Sequence, residues 1–488
     1  MKFRLSIAVL LLCLLSTVAL AQSPLRLLPS GTIPPAGNTP CNQDTAPQSA
    51  PANVSARHVT PADAYSTAFA YLTTFYPRWF TYYQAAGPCN RIVGPVRVSP
   101  LYQSVVAIND DTFYASAFVA VKKEPTIVTV PATTDNYSVL QLDQYGNVFD
   151  GIPNNQPGIY GLTGPEWQGT LPNGVIQVKV PYDYTELIFR ADKYVKNGDT
   201  YVDMSQEAKT FRSSLHSASL SDWLMNHDAG PAKILPELFF AVPYKTLAVL
   251  LIANQPIDFL TSLQTAVQAG TTQPLSTKEK ILAAAFNQLF QDQSNYPQMI
   301  AGAQDAHKLI DANYLTNFYP NTTWVTFTDI GQWNTDAQGY LNRSSITDYI
   351  QYGNNHDAAV YYQNFLDVNK KPLDGTNTVY SMTFLNNGQP DVSRFWSLTA
   401  YLPISIELVP NEANKYVVAS YTPNLQTAPD GSVTIIMSNT PLAANQANWL
   451  PIPKGRFSVM LRAYGPQGSV LNNMYSPPPI VPMSTTQK

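Results

Sequence analysis

The chain has 488 residues, of which 45% are hydrophobic and only 13% are charged, and its formal net charge is −4. A chain of this length has room for two or three domains with substantial cores, which excludes an intrinsically disordered scaffold. It contains no cluster of Lys and Arg that could follow a phosphate backbone, so we expect no nucleic-acid partner.

The first 21 residues have the pattern of a signal peptide. Lys2 and Arg4 precede a short apolar run, and Ala19-Leu20-Ala21 precede Gln22. The run is much shorter than the roughly 20 residues that span a bilayer, and later apolar stretches are interrupted by polar residues or proline. We therefore expect a secreted protein without a membrane span, extracellular or periplasmic according to the host.

Residues 22–56 form an arm rich in Pro, Ser and Thr, with too few large apolar residues to fold alone. After loss of the signal peptide two cysteines remain, Cys41 and Cys89. In an oxidising compartment an even pair favours a disulfide, with two buried thiols as the alternative. Four glycosylation sequons begin at Asn53, Asn136, Asn321 and Asn342, and they matter if the host glycosylates.

Three regions follow the arm. Residues 57–204 begin with a helical pattern from Pro61 to Phe80 and continue as short β-type runs, whereas residues 205–320 have helical spacing, with Ser276 as one expected cap. From residue 321 to 488 short strands return, separated by turn signals. We predict an α+β fold: a β-rich N-terminal domain, a helical middle segment and a C-terminal antiparallel β-sandwich of jelly-roll type.

Several motifs in the two β-rich regions occur in a specific order. In the first region they are Asn109-Asp110-Asp111-Thr112-Phe113-Tyr114, Tyr137-Ser138 with Gln141 and Asp143, and Gly164-Pro165 with Trp167; in the second they are Leu373-Asp374-Gly375, Phe395-Trp396-Ser397-Leu398-Thr399, Asn448-Trp449-Leu450-Pro451 and Leu461-Arg462-Ala463-Tyr464. The chain thereby resembles the paired domains of unknown function DUF1254, towards the N-terminus, and DUF1214, at the C-terminus. The resemblance implies an α+β architecture that ends in a β-sandwich, and it implies no particular activity.

The segment from Gln141 to Phe149 is the main candidate site. If it is a strand, its odd-numbered residues share one polar and aromatic face that suits a polyhydroxylated ligand. Asp143 and Asp111 are then the candidate catalytic acid and base, with substrate-binding side chains at Asn109, Tyr114, Gln141, Tyr145 and Asn147. The alternatives are a solvated or internally satisfied sheet face around Asp143 and ordinary turn capping by Asp111.

The five histidines lack the spacing of a helical zinc site, and we predict neither a metal nor a cofactor. Arg190 and Arg462 each end an apolar strand, which fits an anion site or a structural ion pair. Three functional hypotheses stay open. One is a hydrolase or lyase that uses carboxylates on a carbohydrate or small polar metabolite. Another is a non-catalytic extracellular module that binds a glycan or a protein. The third is a structural secreted protein whose polar strand faces satisfy one another across the domain interface.

Overall fold

The computed structural model describes residues 61–85, 89–100, 107–226, 233–235, 244–269, 273–441 and 446–483. Its helices are α1 (Pro61–Gln84), α2 (Ser205–Ser213), α3 (Leu220–Asn226), α4 (Tyr244–Asn254), α5 (Pro256–Gln268), α6 (Thr277–Phe290), α7 (Tyr296–Thr316), α8 (Ala337–Tyr349) and α9 (Gly468–Leu471). None of these described helices is both long enough and apolar enough to cross a bilayer.

The strands of the first half are β1 (Val93–Pro95), β2 (Thr112–Ala120), β3 (Thr126–Val130), β4 (Tyr137–Leu142), β5 (Gly158–Thr163), β6 (Val175–Lys179), β7 (Tyr184–Asp192), β8 (Tyr194–Asn197), β9 (Thr200–Asp203), β10 (His216–Ser219) and β11 (Lys233–Leu235). Those of the second half are β12 (Trp324–Val325), β13 (Ala359–Asn364), β14 (Val379–Phe384), β15 (Val392–Tyr401), β16 (Val417–Ala419), β17 (Val433–Ser438), β18 (Trp449–Pro451), β19 (Ser458–Pro466) and β20 (Val481–Met483). The mixture of helices and sheets confirms the α+β class.

Four sheets form the β-rich part of the described molecule. Sheet I has the strand order β11-β1-β2-β7-β4, and sheet II has the order β10-β3-β5-β6. Sheet III has the order β12-β13-β19-β15-β16, and sheet IV has the order β18-β17-β14-β20. Strands β8 and β9 form a separate ribbon. Sheet IV includes a parallel pair, β17 with β18, and the jelly-roll connectivity of the last domain stays a prediction.

Alternating side chains bury both faces of the two central sheets. On β7, Leu187 and Phe189 pack in the core between sheets I and II, whereas Ile188 points to the opposite side. On β19, Leu461 packs between sheets III and IV, whereas Tyr464 belongs to the same cluster as Ile188. Because neighbouring strand residues point to opposite faces, the layers follow the order II, I, III, IV.

The remaining helices form their own core around α1. Ala68, Leu72 and Phe75 of α1 are fully buried with apolar residues of α4 to α7. The predicted helix from Pro61 thus exists, and it packs with the helical middle segment. The predicted cap at Ser276 is confirmed, because its hydroxyl accepts from the Glu279 N–H while the Glu279 carboxylate accepts from the Ser276 N–H.

Candidate functional site

A cavity of about 60 Å³ lies between sheets I and III. Strands β2 and β7 supply one wall, and β13 and β19 supply the other, with two loops closing the ends. The lining residues are Ala107, Ile108, Asn109, Tyr114, Ser116, Glu186, Ile188, Arg190, Ile350, Gln351, Tyr352, Gly353, Tyr361, Arg462 and Tyr464. At roughly 15 Å³ for each water-sized group, the cavity holds about four such groups.

Glu186 is the only carboxyl group among these lining residues. It is 3% exposed, and its Oε2 has no hydrogen-bond partner in the described residues. Burial raises the pKa of Glu186 to about 8, although a hydrogen bond with Tyr352 and the charge of Arg190 act in the opposite direction. The carboxyl group therefore holds its proton near neutral pH, as general acid–base catalysts do.

Arg190 lies on the same strand face as Glu186, because the two residues are four positions apart on β7. Its Nη1 donates to Asn354 Oδ1 at 2.9 Å, and its Nη2 donates to the Tyr352 carbonyl at 3.0 Å. The guanidinium also lies 5.7 Å from the centre of the Tyr114 ring. These contacts hold the guanidinium at the cavity wall.

Arg462 enters from sheet III and is 2% exposed. Its Nη2 donates to the Ala107 carbonyl at 2.5 Å and to the Tyr401 hydroxyl at 2.7 Å. Its Nη1 has no hydrogen-bond partner in the described residues. Because a buried guanidinium normally uses all its donors, the unused Nη1 leaves capacity for a ligand.

The predicted binding residues Asn109 and Tyr114 do line the cavity. The Tyr114 hydroxyl donates to Asn109 Oδ1 at 2.7 Å, and Asn109 Nδ2 donates to the Tyr464 hydroxyl. Across the cavity, the Tyr361 hydroxyl accepts from Asn354 Nδ2 at 2.8 Å and from its backbone N–H at 3.0 Å. Hydrogen bonds thus fix the positions of three tyrosine hydroxyls.

Three non-glycine residues of the lining have left-handed backbone conformations. The φ angles are 53° at Ala107, 29° at Gln351 and 59° at Tyr352. Such conformations cost about 1–3 kcal/mol each and cluster at functional sites. The side chain of Gln351 exchanges hydrogen bonds with Gln84 at 2.6 and 3.1 Å, which ties this loop to the end of α1.

The predicted catalytic residue Asp111 lies next to the cavity and does not line it. It is fully buried, and it accepts hydrogen bonds from Ser397 Oγ at 2.8 Å and from the Tyr421 hydroxyl. Burial raises the pKa of Asp111, against the effects of Tyr421 and of the Arg462 charge. Its contacts join sheet I to sheet III.

The predicted partner Asp143 lies in a turn, because β4 ends at Leu142. Gly146 has a φ of 77° and its N–H donates to the Asp143 carbonyl at 3.0 Å. The Asp143 carboxylate accepts four hydrogen bonds, from the N–H groups of Tyr145 and Asn147, from Asn147 Nδ2 and from Gln273 Nε2. The continuous polar strand face expected for residues 141–149 is therefore not formed.

The other residues predicted on that face have separate surroundings. Gln141 Oε1 accepts from the Ile152 N–H at 2.7 Å, and Asn147 Oδ1 accepts from the Trp333 N–H at 3.3 Å. Tyr145 packs in the helical core, where the guanidinium carbon of Arg343 lies 3.7 Å from its ring centre. None of the three lines the cavity, so their substrate-binding roles stay predictions with less support than those of Asn109 and Tyr114.

A cluster of His307, Asp311 and Asp348 in the helical part has donor atoms within 4.8 Å of one another. The ammonium group of Lys245 pairs with Asp348 and lies 3.9 Å from Asp311 Oδ1. The Tyr76 hydroxyl donates to Asp348 Oδ1 at 2.6 Å. Since Lys245 already supplies a cation between the carboxylates, we interpret this cluster as structural and derive no metal chemistry from it.

Several sequence predictions lie outside the described residues. These are the signal peptide, the arm, Cys41 and the sequon at Asn53, so the disulfide between Cys41 and Cys89 stays a prediction. Among the other sequons, Asn321 is exposed and Asn136 is partly buried, whereas Asn342 lies in α8 and its Nδ2 donates to Asp329 Oδ2 at 2.7 Å. Asn321 is the described position best suited to glycosylation.

The sequence prediction missed Glu186, Tyr352 and Tyr361 as site residues. One signal was available for Glu186, which is a charged residue directly before the apolar run Leu187-Ile188-Phe189 of β7. A charged residue at such a position is costly unless it has a specific role. No local signal distinguishes Tyr361 from the other tyrosines of the chain.

Residues 89–215 match the family described as "Protein of unknown function (DUF1254)", and residues 358–468 match "Protein of unknown function (DUF1214)". The crystal structure of the VPA0106 protein from Vibrio parahaemolyticus is similar, with a TM-score of 0.54 and 20% identity over 87% of this chain and 100% of that one. A putative uncharacterized protein from Burkholderia cenocepacia has a TM-score of 0.38 and 14% identity, covering 86% of this chain and 87% of its own. No curated protein sequence matches the chain.

The cavity draws on both matched segments. Glu186 and Arg190 lie within the DUF1254 match, whereas Tyr361, Arg462 and Tyr464 lie within the DUF1214 match. The likeness to the VPA0106 protein concerns the fold alone. The chain thus carries a DUF1254 segment followed by a DUF1214 segment, in the order that its sequence motifs predicted.

Proposed function

We propose that the protein is an enzyme of lyase type that moves protons on a small polar metabolite, with Glu186 as its general acid–base. The observation that carries the proposal is a buried carboxyl group with a pKa of about 8 in the wall of a small cavity. A carboxyl group that changes its protonation state near neutral pH can both accept and return a proton. Burial between sheets I and III raises the pKa of Glu186 to this value.

In an elimination, ionised Glu186 takes a proton from a substrate carbon. The C–H electron pair forms the new C=C bond, the bond to the leaving group breaks, and Glu186 returns the proton to that group. Glu186 thus ends the cycle in its starting state, and the addition reaction is the reverse. A second carboxylate is not needed, which agrees with the single carboxyl group of the lining.

The cavity gives less support to a carbohydrate hydrolase. Glycosidases use two carboxyl groups that flank the scissile bond, and Asp111 and Asp143 share no hydrogen-bond partner among the described contacts. A space for about four water-sized groups is also too small for a sugar ring with its hydroxyls. A small metabolite is therefore the favoured substrate.

A glycan-binding module has less support than an enzyme. Such a module presents exposed aromatic rings, but Trp396 is 1% exposed and Trp449 is 6% exposed. Their indole N–H groups donate to Gln389 Oε1 and to the Ser438 carbonyl. Secretion remains part of the proposal because of the signal-peptide pattern in the first 21 residues.

The test compares the purified full-length secreted protein with its Glu186→Gln variant, which keeps the side-chain shape and loses the titrating proton. Each protein is incubated with a library of small polar metabolites, and turnover is followed by mass spectrometry. The exposed Glu166→Gln variant controls for the loss of a carboxyl group from the same segment. We expect turnover of one compound class by wild type and Glu166→Gln, and at least a hundredfold loss in Glu186→Gln. Equal turnover by Glu186→Gln would remove Glu186 from the mechanism.

A further inference from the structure

We propose that the cavity between sheets I and III selects a short-chain carboxylate of about three carbon atoms, whose carboxylate group lies against Arg462 and Arg190. This inference rests on the proposed function and names its substrate class. It depends on three properties of the lining: its hydrogen-bond polarity, its charge and its size.

The lining contains three donor groups with hydrogens that the described contacts do not use. The Tyr361 hydroxyl accepts two hydrogen bonds from Asn354, and the Tyr464 hydroxyl accepts one from Asn109. Neither hydroxyl donates to an acceptor among the described contacts, so each has a hydrogen available for a ligand. Among the described residues, Arg462 Nη1 also has no acceptor. A ligand that complements this lining must be rich in acceptor atoms.

The charge of the lining is positive. Arg190 and Arg462 both line the cavity, and Glu186 is the only carboxyl group among the described lining residues. Asp111 also lies near Arg462, but it does not line the cavity, and burial raises its pKa. Below pH 8 Glu186 is mostly protonated, which leaves two guanidinium groups without a full anionic counterpart in the cavity. An anionic ligand would balance this buried charge.

The size of the cavity limits the anion. About 60 Å³ holds about four water-sized groups. A carboxylate group occupies most of that space, so the two further carbon atoms that an elimination requires bring the ligand to about the upper size limit. The reacting carbon of such a short acid would then lie within the same small space that Glu186 lines, which is what proton transfer at that carbon requires.

The wild-type protein provides the first test without any substitution. Ligand-observed NMR at pH 6.5 would compare acetate and lactate with the isosteric neutral amides acetamide and lactamide. We expect both carboxylates to bind at least tenfold more tightly than their amides. Inorganic phosphate and sulfate are included as larger, tetrahedral anions, and we expect them to bind more weakly than the carboxylates.

A second test uses two variants that keep the protein's size. Arg462→Lys retains the charge and loses the planar fork, so we expect carboxylate affinity to fall about tenfold. Lys454→Met removes an exposed positive charge from the same segment and should leave the affinity unchanged. Amides that bind as tightly as carboxylates, or phosphate that binds more tightly than both, would overturn the substrate class. Neither result would affect the turnover comparison of Glu186→Gln, which tests the acid–base role separately.

Discussion

The pKa of Glu186 leads to a prediction about stability that needs no substrate. Its value is about 8 in the folded protein against an ordinary 4.5. At 1.36 kcal/mol for each pH unit, the two values correspond to about 5 kcal/mol of unfolding free energy. Because the folded state holds the proton more tightly, this stabilisation is complete below pH 4.5 and is lost progressively as the pH rises to about 8.

Glu186→Gln cannot lose a proton, so its stability should not show this decline. Relative to wild type, the variant should gain about 5 kcal/mol between pH 4.5 and 8. For a chain of this length, a gain of that size raises the melting temperature by about 5 °C if the described parts unfold together. Other buried carboxyl groups are present in both proteins, and their contributions cancel in the comparison.

The assay is thermal unfolding followed by circular dichroism from pH 5 to pH 9. Wild type, Glu186→Gln and the exposed control Glu166→Gln are measured in the same buffers. We expect the melting temperature of Glu186→Gln to rise relative to the other two as the pH increases. Parallel curves for all three proteins would mean that Glu186 ionises in its ordinary range, and the acid–base proposal would lose its physical basis.

Three further predictions concern residues outside the cavity. Asp143→Asn turns an amide group towards donors that the carboxylate now accepts, so it should lower the unfolding free energy by roughly 2–4 kcal/mol without changing ligand affinity; denaturant unfolding and the NMR titration would measure the two effects. Lys245→Met leaves the fully buried Asp348 without its cation and should cost about 3–5 kcal/mol at pH 7, with partial recovery at lower pH as the carboxylate is protonated; a pH series of denaturant unfolding would reveal a pH-independent loss if the cluster is not ionic. Gly302→Ala places a methyl group 2.3 Å from the Tyr65 carbonyl oxygen, so α1 and α7 must separate and the melting temperature should fall; an unchanged melting temperature would contradict this close approach.

The sequence predicted local structure well because the relevant signals are local. The runs that were expected at Glu186 to Phe189 and Phe457 to Ala463 correspond to β7 and β19. The capping box at Ser276 needs only residues within one helical turn. The turn at Asp143 was missed because its alternating polar residues resemble a strand, although Gly146 was an available signal for a turn.

The cavity could not be predicted in the same way, since alternation along a strand does not say what covers each face. Alternation along β7 places Leu187 and Phe189 on one face of the strand, and Glu186 and Ile188 on the other. Whether the second group meets water, a helix or another sheet depends on contacts with residues far along the chain. Asn109 and Tyr114 were chosen for their residue types, and they line the cavity because sheet III covers sheet I at that point.

The same packing gives a physical reason for the two segments to occur together. Sheet I on its own would expose Tyr114 and Ile188, and sheet III on its own would expose Tyr361, Phe395 and Tyr464, all of which are buried where the two sheets meet. Covering these apolar residues favours the paired arrangement. The polar groups buried at that interface raise the free-energy cost of forming it. Glu186 is the clearest case, because its Oε2 has no hydrogen-bond partner in the described residues. An interface required only for stability would be better served by apolar residues at these positions, so the retained charges support the proposed carboxylate ligand.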